Sequence, residues 1–206
     1  MSKRFARPLL LRTALMCAVL GVAGCQSDGP DEHAAVVGST APNAEVDRKS
    51  AALFEQALDA IQAERYAEAE GLLKQLTERD PMLSGPWVNL GTVYEALGDN
   101  AAAEAAYKKA IEANPNSCAA YIDLGVMARR AGDFITAETN YLACTQRVPD
   151  FRDAYLNLGI LYELYLGRLD DALKAYQTYQ SLSANADLKV AAWVADLERR
   201  LAGNES

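Results

Sequence analysis

Histidine is almost missing from this chain: among 206 residues there is one, His33. That removes the commonest general base and the commonest metal ligand at neutral pH. Cysteine is scarce as well, with four in all, and none is spaced with a histidine as metal ligands are. No glycine-rich phosphate loop and no strained serine elbow is present. The longest apolar run, Thr13 to Ala23, has 11 residues, short of the roughly 20 that span a bilayer. Positive charge is the minority, 20 Lys and Arg against 28 Asp and Glu, a net charge of −8. Such a chain repels phosphate backbones, which excludes nucleic acid as a partner. The carboxylates fall where helices face water, a poor setting for acid–base work. No enzymatic activity, cofactor, metal or small-molecule substrate is expected.

What the chain does have is a period of 34 residues. Trp87, Leu90, Gly91, Tyr94, Ala103, Tyr107, Ala110 and Pro115 recur as Tyr121, Leu124, Gly125, Ala128, Ala137, Tyr141, Cys144 and Pro149. Tyr155, Leu158, Gly159 and Tyr162 open a further copy, and Leu53, Gln56, Ala57, Ala60, Ala69, Leu73, Leu76 and Pro81 form a degenerate first one. This W-x-x-L-G-x-x-Y…A-x-x-x-Y…P spacing resembles the tetratricopeptide repeat family. The resemblance implies an all-α fold: a right-handed superhelical solenoid of helix-turn-helix repeats with a C-terminal capping helix. Repeats are expected at about 50–83, 84–117, 118–151 and 152–186, with the cap at 187–202, all within a domain of residues 47–202.

In the second repeat the pattern predicts helix A from Ser84 to Leu97 and helix B from Asn100 to Ala113, with a stop at Gly98-Asp99. Gly91, Gly125 and Gly159 sit inside A helices, where glycine costs up to about 1 kcal/mol against alanine. The resemblance implies that close approach of helix B offsets this, with Ala103, Ala137 and Ala172 as the facing surface. Tyr107, Tyr141 and Tyr176 are expected between repeats. The fourth repeat carries one extra residue in Tyr162–Gly167, which predicts a bulged or lengthened first helix. Val190, Trp193, Val194, Leu197 and Leu201 make one apolar stripe on a lone final helix. Such a helix caps an array whose units cannot bury their faces alone. Trp193 either closes the core beneath the cap or offers a surface for self-association.

The first residues read differently. Lys3, Arg4, Arg7 and Arg12 precede the apolar run, which ends in Val22-Ala23-Gly24-Cys25. This resembles a bacterial lipobox and implies a signal peptide over residues 1–24 and lipidation, palmitate included, of Cys25. Loss of the leader moves the net charge to about −12. Gln26 follows the cysteine where an aspartate would imply retention in the inner membrane, so the expected place is the outer membrane, facing the periplasm. Residues 25–46 carry no periodic apolar face and are expected to be a flexible tether of roughly 25 Å typical span.

Cys118 and Cys144 remain, near the same end of one repeat. Two readings are open: a disulfide, which requires a Cα separation below about 7 Å, or a small buried cysteine at an alanine site. The alanine-like place of Cys144 weighs toward the second.

In stacked repeats the A helices line a concave groove. The fifth and ninth positions, Phe54, Leu58, Val88, Thr92, Ile122, Val126, Leu156 and Ile160, form a nearly continuous apolar stripe. Beside them Asn89, Asp123 and Asn157 resemble the ladder by which some of these superhelices hold an extended peptide backbone. Arg129, between Glu95 and Glu163 at the twelfth position, is expected in an ion-pair row across the groove. The basic residues of the family's carboxylate clamp are missing: its positions hold Ala51, Phe54, Gly85, Val88, Ala119 and Ile122. The expected role is a membrane-anchored scaffold that binds a peptide or helix of an envelope-assembly protein, resembling pilotins and envelope adaptors. The alternative is an accessory subunit of a TonB-type, secretion or pilus complex using the convex face or the cap.

Overall fold

A computed structural model describes residues 48–184 and 187–204. The expectations for the signal peptide, Cys25 and the tether lie outside the described residues. Helices come in antiparallel pairs: α1 (Arg48–Gln62) with α2 (Tyr66–Arg79), α3 (Ser84–Ala96) with α4 (Asn100–Ala113), and α5 (Cys118–Arg130) with α6 (Phe134–Arg147). Next, α7 (Arg152–Leu161) runs directly into a π-helical turn, Tyr162–Leu166, and pairs with α8 (Leu169–Leu182). A final helix, α9 (Leu188–Asn204), closes the array. Each helix packs on the next, and α5 also touches α7. The result is a tetratricopeptide-type solenoid whose apolar faces are buried between neighbours rather than around one centre.

The turns explain the helix ends. Gly98 stands at φ 82°, in the left-handed region, and the next amide, Asp99 N–H, donates back to Tyr94 O at 2.9 Å. This satisfies a carbonyl the helix leaves open. Asp99 then caps α4 by accepting from the Ala102 amide at 3.0 Å, and Asp133 does the same for Thr136. The first repeat fills the glycine slot with Glu64, held at φ 56°. A side chain there costs about 1 kcal/mol. Glu64→Gly is therefore expected to stabilise the protein by up to about 1 kcal/mol, read as a higher urea midpoint with an unchanged slope.

The extra residue of the fourth repeat is absorbed in the π turn, so the amide that closes it, Arg168 N–H, reaches Tyr162 O at 2.9 Å, six residues back instead of five. Helix α8 starts one place late but in register with its partner. The inserted residue is a bulge, in keeping with the expectation.

Inside each repeat the glycine of helix A faces a tyrosine ring. A β-carbon on Gly91, Gly125 or Gly159 would stand under 3.0 Å from the ring of Tyr107, Tyr141 or Tyr176 respectively. This corrects the expectation that Ala103, Ala137 and Ala172 form the facing surface. Those alanines are fully buried, yet it is the flat ring that lies on the bare backbone. The three tyrosines are themselves at most 1% exposed, so the rings have nowhere to move. Trp87 and Tyr155 serve the turns: the indole N–H donates to Pro81 O and the phenol to Pro149 O, both at 2.9 Å.

Cys118 and Cys144 are joined by a disulfide, with their Cα atoms 4.9 Å apart. This corrects the reading of Cys144 as a reduced, alanine-like residue. It is fully buried at that site, but its antiparallel neighbour brings the second sulfur alongside. At the other end of the array Trp193 rests on Tyr176, ring centroids 5.4 Å apart, while Val190 and Leu197 are fully covered. The tryptophan closes the core beneath the cap.

Candidate partner-binding groove

The apolar stripe is narrower than the residue pattern implies. Ile122 and Val126 on α5, with Leu156 and Ile160 on the adjoining α7, are half-buried and pack on one shared core. Phe54 and Leu58 on α1 are half-buried as well, Phe54 against a separate core of the first two repeats. Val88 is a correction: at 5% exposure it packs with Ala103, Tyr107 and Ala119, inside the junction between the second and third repeats. Thr92 stays half-buried, its hydroxyl 3.3 Å from Val88 O.

In the amide row Asn89 is a further correction, being covered. Asn89 is 4% exposed, and its Nδ2 donates to Gly85 O at 2.9 Å. Asn157 Nδ2 donates to Asp153 O at 2.9 Å. Each amide bonds back one turn to its own helix, which ties down one of its two N–H groups.

The polar centre lies where three phenols of the B helices meet the twelfth-position residues of the A helices. Tyr107 donates to Glu95 at 2.8 Å and Tyr176 to Glu163 at 3.2 Å. The expected ion-pair row runs through other residues. Arg130, not Arg129, pairs with Glu95 at 2.8 Å, and Arg200 of the cap pairs with Glu163 at 2.9 Å. Arg129 turns to Tyr165, with NH1 3.3 Å from its hydroxyl and the guanidinium 5.5 Å from the ring centroid. Arg130 lies one residue beyond the 34-residue register and Arg200 lies in the cap. Register counting therefore passes over both.

Asp123 stands among these groups without a full counter-charge. Burial pushes its carboxyl up to about 7, the neighbouring Glu95 adds to the rise, and Arg130 partly opposes it. Burial first, then the charge of Asp123, raises the Tyr107 phenol far above its ordinary range. The stability consequence follows from the sign. The folded state holds the Asp123 proton up to about pH 7, whereas the unfolded chain releases it near the ordinary value of 3.8. The folded state therefore binds more protons between about pH 4 and 7, and this contribution to stability is lost as pH rises through that window. Asp123→Asn is expected to match the parent near pH 4 and to be the more stable of the two at pH 8. Urea titrations at the two pH values would check this; equal gains at both would refute the assignment.

Sequence comparison bears directly on this architecture. The tetratricopeptide repeat model matches at residues 54–117, 88–141 and 122–187, overlapping windows that cover most of the described chain. The chain belongs to the tetratricopeptide repeat (TPR) family. Among curated protein sequences, none matches. Solved TPR structures resemble it in fold. MamA is 23% identical with a TM-score of 0.57, over 65% of this chain and 77% of that one. PilF of Pseudomonas aeruginosa is 20% identical with a TM-score of 0.66, over 76% and 71%. A thermophilic TPR protein from Thermus thermophilus is 24% identical with a TM-score of 0.61, over 73% and 81%. TPR proteins are in general protein–protein interaction scaffolds rather than enzymes, and this chain carries that scaffold.

Proposed function

We propose that this TPR protein is a lipid-anchored adaptor of the bacterial envelope that holds a peptide or helix of an assembly partner against α5 and α7. The observation that carries the reading is the half-buried strip of Ile122, Val126, Leu156 and Ile160 on two adjoining A helices, set beside the under-compensated carboxylate of Asp123. Apolar side chains one turn apart on a partner fit the strip. A lysine or arginine beside them would supply the charge that Asp123 lacks.

The lipobox-like Val22–Cys25 supports anchoring at Cys25 after removal of residues 1–24, with Gln26 favouring the outer membrane and the periplasmic face. The Cys118–Cys144 disulfide supports the same compartment independently, because such bonds persist where the surroundings are oxidising. Pilotin-like or other envelope-adaptor work fits both. A second reading, an accessory subunit of a TonB-type, secretion or pilus complex, draws on Ile135 and Leu164, large apolar residues 81% and 67% exposed at the A–B turns.

The test compares the lipidated protein with Ile122→Asp/Ile160→Asp in pull-downs from envelope extracts, after circular dichroism shows both folded. The adaptor reading expects at least a tenfold loss of the captured partner, since charging a half-buried apolar contact costs more than about 1.4 kcal/mol. Undiminished capture, lost instead in Ile135→Asp/Leu164→Asp, would sink the groove and favour the second reading. Membrane fractionation of Cys25→Ala tests the anchor separately.

A further inference from the structure

Three positions one repeat apart, Tyr94 on α3, Ala128 on α5 and Tyr162 at the start of the π turn after α7, face the B helix of the preceding repeat. At two of them the tyrosine fills the space. The Tyr94 ring lies under Lys74 of α2, with Nζ 5.7 Å from its centroid. The Tyr162 phenol donates to Glu138 of α6 at 2.9 Å. The groups that meet these rings recur with the period: Glu70, Glu104 and Glu138 form one row, Lys74 and Lys108 another. Only the aromatic is missing in the middle. Where the ring would stand there is an open cleft of about 750 Å³, floored by Leu124, Met127 and Ala128 and rimmed by Glu104 and Lys108. Those two rim residues pair with each other at 2.6 Å, and Glu70 and Lys74 likewise pair beside the Tyr94 ring.

We propose that this cleft is a socket for a tyrosine side chain supplied by a partner protein. The occupant is drawn from the molecule itself: the two sister sites show which side chain fits between these helices and how its ring and hydroxyl are met. An apolar floor takes the ring, Lys108 covers its face as Lys74 covers Tyr94, and Glu104 accepts the hydroxyl proton as Glu138 does from Tyr162. Residues two apart on a helix point about 200° apart. Leu124 and Ala128 therefore look away from Ile122 and Val126, and the socket opens on the other side of α5 from the apolar strip, with Glu95 and Arg130 of the polar centre in its wall.

The test is a titration of the ¹⁵N-labelled protein with p-cresol, the tyrosine side chain alone, followed by NMR. A Kd on the order of 1 mM is expected for so small a ligand. Shifts should be confined to the Leu124–Ala131 stretch and α4, with nuclear Overhauser contacts from the ring to the Met127 methyl group. Ala128→Tyr fills the socket from within and should abolish those shifts while leaving the protein folded, and Glu104→Gln should weaken binding about fivefold. The proposal is overturned if no shift appears at these amides by about 10 mM p-cresol, or if the ring contacts fall on Ile122 and Val126. Undiminished shifts in folded Ala128→Tyr would overturn it as well. The contacts to Met127 need no variant, so they decide the matter even where Ala128→Tyr does not fold.

Discussion

Gly125→Ala is expected to destabilise the protein by about 2–3 kcal/mol, although the same change in most helices is favourable. The glycine lies in α5 against the Tyr141 ring, where an added β-carbon would stand under 3.0 Å from three ring carbons. Tyr141 is fully buried, so the strain passes into its neighbours. Overpacking of this kind costs about 1–3 kcal/mol or more, against a helix-propensity gain of up to about 1 kcal/mol. In a domain of this size the melting temperature should fall by about 5–10 °C. Two controls isolate the cause. Gly71, in α2, has nothing within 4 Å of its β-position, so Gly71→Ala should raise the melting temperature. In a Tyr141→Leu background, where the ring is gone, Gly125→Ala should become nearly neutral. A destabilisation that persists there would show that the ring is not what excludes the methyl group.

Removing the Cys118–Cys144 link should cost about as much, by a different route. The two cysteines are 26 residues apart in sequence, and closing a loop of that length in the unfolded chain is worth about 3.5 kcal/mol in the chain-entropy account. Cys118→Ala/Cys144→Ala suits the measurement because alanine is already at home at the second site. Ala110 occupies the same place one repeat earlier and is fully buried. Urea unfolding should show a lower midpoint in the double variant, and a reductant present during unfolding should lower the parent to the same value while leaving the variant unmoved. A parent that ignores reductant and matches the variant would mean that the thiols are not bonded in solution.

The fold was legible in the residue pattern because a tandem repeat states its packing several times over. Gly91, Gly125 and Gly159 announce a close contact, and three copies make the announcement hard to misread. The pattern was silent on which group makes the contact. Both the alanine and the tyrosine recur with the period, and only the path of helix B decides between them. The groove was harder to read. Val88 and Ile122 occupy the same position of successive repeats, yet Val88 is covered and Ile122 is not. Asn89 and Asn157 have the right chemistry for a ladder, but an amide one turn from its own carbonyls has a competitor that spacing does not reveal. Arg130 and Arg200 entered the polar centre from outside the register, which counting by 34 cannot detect. The absent aromatic at Ala128 was visible as a substitution, but its meaning required the space that the substitution leaves.

The π turn at Tyr162–Leu166 shows how such an array tolerates editing. One residue added to an α-helix rotates everything beyond it by about 100°, enough to turn the core face of α8 toward water. Here the error stops within five residues, and Tyr176 still lands on Gly159. The surplus length also swings Tyr165 outward, against Phe134 at 5.1 Å and beneath Arg129. Both of those residues belong to the preceding repeat. The extra residue is thus confined to a spur that reaches back to the preceding repeat. Length in this lineage of folds can be gained at the A–B turn without renegotiating the rest of the stack.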